Sequence, residues 1–293
     1  MTSKLTKDHR ERVKLFEKYL LEHTTLQPST ILKYVGEVKH YFKGHRKLTG
    51  NLIKRHVVKQ HRHSNNNRTK YAFKHFLEYI GHKEVYDGLP RLKTPVKQKT
   101  QQFASPEDAK KVLRLIPKGV HRDMAILQLA SGCRSMEVLT MREENVNVKE
   151  MSVYVIGKGK KGAMIQFPQE LRIIFDKYLV GEPGFLFLGE RAEELYKDYP
   201  IRFEKYVRNA REKYYNSVQR ASKSIGLKFG THDLRRAFSM EFYKVLPDIR
   251  ALKEALRHSS INTTMTYLPA HTEEARKAIR DVQSNFFNLK EGD

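Results

Sequence analysis

Residues 256–269 read LRHSSINTTMTYLP, a histidine at 258 followed nine residues later by a tyrosine at 267. Three further segments of the same half share its character: SGCRSMEVLTM at 131–141, VIGKGKKGAMIQFP at 155–168 and THDLRRAF at 231–238. Singly, each has a plain structural explanation. Arg134 and Glu137 are three apart and can pair on a helix surface. Lys158 sits in GKGKKG, a turn-forming stretch whose lysines belong in water. His232 can cap or pack a helix, and Tyr267 is one of 15 tyrosines. Together they set Arg134, Lys158, His232, Arg235, His258 and Tyr267 in one order along a single half of the chain.

In that order the segments closely resemble the signature of the tyrosine recombinases, the phage-integrase and Xer-type family. Arg134 matches the arginine of a T-G-x-R-x-x-E-like box, with Glu137 behind it. Lys158 matches the lysine of a G-K-G hairpin turn. His232 and Arg235 match an H-x-L-R box, His258 an L-G-H-S box, and Tyr267 the tyrosine that follows. The resemblance is detailed over about residues 104–270. It implies a DNA-cutting enzyme, a mainly α fold with a small β-hairpin sheet, and two domains clamping DNA like a C. It also implies a role for each residue. Tyr267 attacks phosphorus and stores the bond energy as a 3′-phosphotyrosine ester. Arg134 and Arg235 bond the non-bridging oxygens, which suits their planar forks. His232 moves a proton near neutral pH, His258 donates to the phosphate, and Lys158 protonates the departing 5′ oxygen. No cofactor and no metal is expected: no carboxylate cluster suggests a two-metal nuclease, and GKGKKG lacks the spacing of an ATP-binding phosphate loop.

Two positions depart from the pattern. Arg236 stands where many members carry a second histidine. Arg257 replaces the usual glycine, a residue that permits close packing or an unusual backbone angle. An arginine there must point away, towards DNA, so both Arg236 and Arg257 are expected as DNA contacts.

Outward from these boxes, the second half (103–293) opens on Ser105-Pro106-Glu107-Asp108, an N-cap with a first-turn proline and acids. Helices are expected to about 116, at 121–131, and near 168–180, 193–223, 232–244 and 248–257. Strands fit 152–156 and 163–167. The charged stretch 189–223 reads as a solvated helix pair. The tail carries Ala278, Ile279, Val282 and Phe286 at helical spacing, which predicts a helix over 272–286; it packs on its own domain or, as the resemblance implies and as is favoured here, docks on a neighbouring subunit. Upstream, GLPRLKTPVKQKTQQ at 88–102 has two prolines and no periodicity. It reads as a linker whose Arg91, Lys93, Lys97 and Lys99 touch phosphates. Residues 1–87 carry apolar residues at helical spacing in four stretches, 8–23, 29–43, 51–61 and 68–80, and read as an all-helical bundle, which resembles the family's DNA-binding core-binding domain in size and helix pattern.

Composition fits this assignment. The 56 Lys and Arg against 33 Asp and Glu give +23, a charge that favours a polyanionic partner such as double-stranded DNA. Cys133 is the only cysteine, which excludes an internal disulfide. There is no apolar run long enough for a membrane span and no signal-peptide pattern at the N-terminus, so a cytoplasmic location is expected. The readings that remain are a site-specific recombinase acting as a homotetramer on two DNA sites, a monomeric type IB topoisomerase, and a catalytically silent DNA-binding relative. Within the first, the divergent boxes point to a mobile-element integrase over a Xer-type dimer resolvase.

Overall fold

Thr6 starts the first helix by accepting the His9 amide N–H at 3.2 Å, an N-cap that satisfies one of the orphan donors of the first turn. The computed structural model describes residues 5–64, 67–89, 105–157, 162–258 and 260–265. Two compact units emerge, residues 1–100 with 194–206, and residues 101–193 with 207–293.

The first unit is helical: α1 (Lys7–His23), α2 (Pro28–Gly44), α3 (Gly50–Ser64), α4 (Arg68–Tyr79) and the short α5 (Lys83–Asp87). The apolar stripes seen in the sequence face one another. Val13, Phe16 and Leu20 of α1 bury against Ile31, Val35, Val38 and Phe42 of α2, and Phe73, Phe76 and Leu77 of α4 complete the core. Phe16 meets Phe76 edge to face at 5.1 Å, a preferred geometry for aromatic pairs. Each large side chain buried here contributes about 1.5–3 kcal/mol. Across the surface, Glu37 of α2 accepts from Thr69 of α4 at 2.7 Å and from Arg68 at 2.5 Å. Residues 194–206 also group with this unit, and Ile201 is buried in its core. Sequence periodicity carries no trace of that grouping, because it reports which face is buried and not what covers it.

The second unit begins at Ser105, whose hydroxyl accepts the Asp108 amide N–H at 3.0 Å and starts α6 (Pro106–Leu115). There follow α7 (Val120–Ser131), α8 (Ser135–Leu139), β1 (Val146–Asn147), β2 (Ser152–Ile156), β3 (Gly162–Gln166) and α9 (Arg172–Tyr178). The expected helix pair over 189–223 is α10 (Glu190–Asp198) and α11 (Pro200–Lys223), of which residues 194–206 belong to the first unit. Pro200 lacks an amide donor and suits a first helical position, so the chain breaks just before it. Next come α12 (Thr231–Val245), α13 (Ile249–Ala255) and α14 (Ile261–Met265). The expected hairpin is a three-stranded antiparallel sheet in the order β1-β2-β3, with Val153 opposite Ile165 and Val155 opposite Ala163. Val153, Val155 and Ile165 are buried while Tyr154, Ile156 and Met164 are exposed, the alternation of a sheet with one covered face. β1 is too short to show a period of its own.

Helix α12 packs on α6 and α7 and is the element on which the candidate site is hung. Among the described residues, no helix is long and apolar enough to cross a membrane.

Candidate active site

The site is built on two turns that end helices. Helix α7 ends at Gly132, whose φ of +62° is left-handed. A Cβ there would stand 2.4 Å from the Phe238 ring of α12, so both the backbone angle and the close helix approach call for glycine. The turn releases Arg134 in extended conformation as the N-cap of α8. Glu137, three residues on, accepts the Arg134 amide N–H at 2.8 Å, which is half of a capping box. The same carboxylate accepts from the Arg134 guanidinium at 2.6 Å. The spacing that first reads as a surface ion pair is thus a cap, and Glu137 is only 4% exposed.

The second turn ends α13. The Arg257 amide N–H donates to Glu254 and the His258 amide N–H to Lys253, the paired bonds of a Schellman motif. Its left-handed residue is Arg257, at φ +56°. Its guanidinium donates to the Ala255 carbonyl at 2.9 Å and to Glu137 at 2.9 Å. The expectation that this arginine must point away, towards DNA, is therefore corrected. The left-handed backbone swings the side chain inward, where a buried carboxylate receives it.

Between the turns lies Arg235 of α12, fully buried. It donates to the Gly132 carbonyl at 2.6 Å and to the Leu256 carbonyl, so it ties both helix ends together. Its Nη2 lies 3.0 Å from His258 Nε2, and its Nη1 lies 3.8 Å from Glu137. An arginine can only donate, so His258 Nε2 accepts and the proton sits on Nδ1, which donates to Thr264 Oγ1 of α14 at 2.9 Å. His258 thus holds Arg235 in place here, where the sequence reading expects it to donate to a phosphate. Arg134 keeps the open side, with 36% of its side chain exposed.

Electrostatics follow from three guanidiniums around one carboxylate. Burial alone would raise the Glu137 pKa, but the Arg134 amide, the Arg257 charge and the Arg134 guanidinium outweigh it and lower it. Burial and then the charges of Arg235, Arg134 and Arg257 push His258 down to about 4, so it is neutral at pH 7. His232, at the start of α12, is exposed. Partial loss of water lowers its pKa, and Arg236, Arg235 and Arg134 lower it further against Asp233. Arg236 is held by Asp233 at 2.9 Å. The Cys133 thiol is pushed by burial up to about 11 and stays protonated.

The structure therefore brings together Arg134, Glu137, His232, Arg235, Arg236, Arg257 and His258. Lys158, Tyr267, Arg91, Lys93, Lys97 and Lys99 lie outside the described residues, as does the expected tail helix. Sequence reasoning missed Gly132 and Thr264, although both lie inside the quoted segments. It also missed Gln128, whose amide donates to the Thr231 carbonyl at 2.7 Å while its oxygen accepts from Tyr214 at 2.8 Å. That buried pair aims the start of α12, and nothing local in the sequence marks it.

Residues 105–274 match the model of the phage integrase family, and the chain belongs to that family. It is a tyrosine recombinase, an enzyme that cuts and rejoins DNA. The chain is 28% identical over 278 residues to tyrosine recombinase XerA of Thermococcus kodakarensis, covering 92% of this chain and 94% of that protein. It is 29% identical over 191 residues to tyrosine recombinase XerC of Thermodesulfovibrio yellowstonii, covering 59% of each. Its fold resembles the crystal structure of a lambda integrase dimer bound to a COC′ core site, with a TM-score of 0.59 at 12% identity over 90% of this chain and 96% of that one.

Proposed function

We propose that this recombinase acts at a specific double-stranded DNA site through a covalent link from Tyr267 to a 3′ phosphate. The observation that carries the reading is the convergence of Arg134, Arg235 and His258 on the buried Glu137 cluster. A net positive, preorganised pocket is what the charge developing on phosphorus requires. Tyr267 oxygen attacks phosphorus as His232 takes the phenolic proton. The bond to the 5′ oxygen breaks, and Lys158 supplies that oxygen's proton. Arg134 and Arg235 carry the non-bridging oxygens, and His258 keeps Arg235 aimed. Attack by a second 5′ hydroxyl reverses the step, so the bond energy is conserved without ATP. The bundle of residues 1–87 and the basic linker 88–102, with Arg91, Lys93, Lys97 and Lys99, grip the DNA backbone beside the catalytic part (103–293), and Arg236 joins them. A homotetramer on paired sites performs the exchange, and the reaction integrates a mobile element. A second reading, resolution of chromosome or plasmid dimers, is favoured by the nearly full-length likeness to XerA.

A duplex with sulfur at the scissile 5′ bridging position tests the roles, because a thiolate leaves without a proton. Lys158→Ala regains cleavage on it and Arg134→Ala does not. Equal rescue of both variants removes Lys158 as the acid. DNA flanking the gene separates the two biological readings. Exchange between two different flanking sequences marks integration, and resolution of direct repeats of one sequence marks dimer resolution.

A further inference from the structure

We infer that Arg257 is a positioning residue for strand cleavage, holding Arg134 in its phosphate-binding pose through the Glu137 carboxylate they share. The inference rests on the proposed role of Arg134 at the phosphate.

The position itself argues against a chance arginine. It is the left-handed residue of a Schellman turn, at φ +56°, where a side chain is disfavoured and glycine is at ease. The chain carries that strain and places a guanidinium where it has a defined task. One donor goes to the Ala255 carbonyl and fixes the arm, and another goes to Glu137 Oε2 at 2.9 Å.

The carboxylate explains what is gained. Glu137 Oε1 takes the Arg134 guanidinium at 2.6 Å, and Oε2 takes the Arg134 amide at 2.8 Å together with Arg257. With guanidiniums on different oxygens, the carboxylate cannot rotate without breaking a charge-assisted bond. The Arg134 fork is thereby fixed while its open side still faces solvent. Arg235 cannot substitute, because its Nη1 stands 3.8 Å from Glu137 and its donors serve Gly132, Leu256 and His258. Arg257 also adds a positive charge beside the pocket without reaching past Glu137 itself.

A double-mutant cycle tests the coupling. Arg257→Gly is the informative variant, since glycine takes this φ freely and the protein folds. Single-turnover cleavage at saturating DNA is measured for the full-length protein, Arg257→Gly, Arg134→Ala and the double variant, with DNA affinity measured alongside. Displacing a reacting group costs about tenfold to a hundredfold in rate, so Arg257→Gly loses that much with affinity unchanged. In the Arg134→Ala background the same change has almost no further effect. Arg257→Lys, which keeps a donor for Glu137, returns part of the rate. Additive losses, or loss of affinity with the rate intact, would make Arg257 an independent or DNA-contacting residue and overturn the inference. If Arg134→Ala cleaves normally, the phosphate role of Arg134 fails and the inference falls with it. If only Arg257→Gly is silent, the inference alone is overturned.

Discussion

His56 in the first unit and His258 in the second are buried alike, at 6% and 7% exposure, and both are pushed down to about 4. The causes differ after burial itself. Around His56 stand Tyr41 and Phe73, with His40 and His45 as its main charged neighbours, and its Nε2 finds no hydrogen-bond partner among the described residues. His258 has both ring nitrogens engaged, and the charges acting on it are guanidiniums. Low pKa marks burial in both places. Only the second histidine is wired into a network of groups able to act on a phosphate. Low pKa alone would not distinguish the two histidines, whereas their hydrogen-bond partners do.

Replacement experiments should separate the two regions most sharply at Arg235. Arg235→Met keeps the length but removes the donors to Gly132, Leu256 and His258. Removing one partner from such a buried charged network costs about 3–5 kcal/mol. His56→Phe swaps one ring for another in an aromatic-lined core, and such volume-conserving changes cost under about 1.5 kcal/mol. Urea unfolding of the two variants measures both, and equal losses would erase the contrast.

Acid should then make the two regions behave alike. Each histidine has its folded pKa lowered from 6.5 to about 4, so the unfolded chain binds more protons in that window. The stabilisation is present above about pH 6.5 and drains away as pH falls towards 4, worth about 3 kcal/mol per group. Unfolding free energy followed by pH in His56→Phe and in His258→Gln should show each variant losing its own share of the slope. A flat profile between those pH values would contradict the burial argument for both.

Glycine positions give the next contrast. Gly132→Ala puts a Cβ 2.4 Å from the Phe238 ring at φ +62°, and overpacking with a left-handed residue costs about 2–3 kcal/mol. Gly36 of α2 has nothing within 4 Å of an added Cβ, so Gly36→Ala should stabilise by about 0.5–1 kcal/mol. Thermal unfolding reads both. A stabilised Gly132→Ala would mean that the α7–α12 approach is looser than described.

Much of this architecture was legible because its causes are local. Periodic apolar residues placed α1, α2 and α4, β-branched residues placed β2, and Ser105-Pro106 started α6. The convergence of Arg134, Arg235 and His258 was legible because they sit in short motifs that share one half of the chain. Interactions between distant segments were not. The bond from Arg257 to Glu137 spans 120 positions, and the one from Gln128 to Thr231 spans 103. The helix pair over 189–223 was legible as well, and Pro200 marks where the two helices part. The glycine missing before His258 gave a true signal of an unusual backbone angle. The direction of the arginine in its place could not be read without knowing where Glu137 lies.

The Arg134, Arg235 and His258 cluster is proposed to serve a phosphate attacked by Tyr267. The most direct measurement is mass spectrometry of the covalent complex trapped on a nicked suicide substrate. A DNA-linked peptide carrying its adduct on Tyr267 is expected, and none from Tyr267→Phe, which still binds the DNA. An adduct on another tyrosine such as Tyr243, or one that persists in Tyr267→Phe, would contradict it.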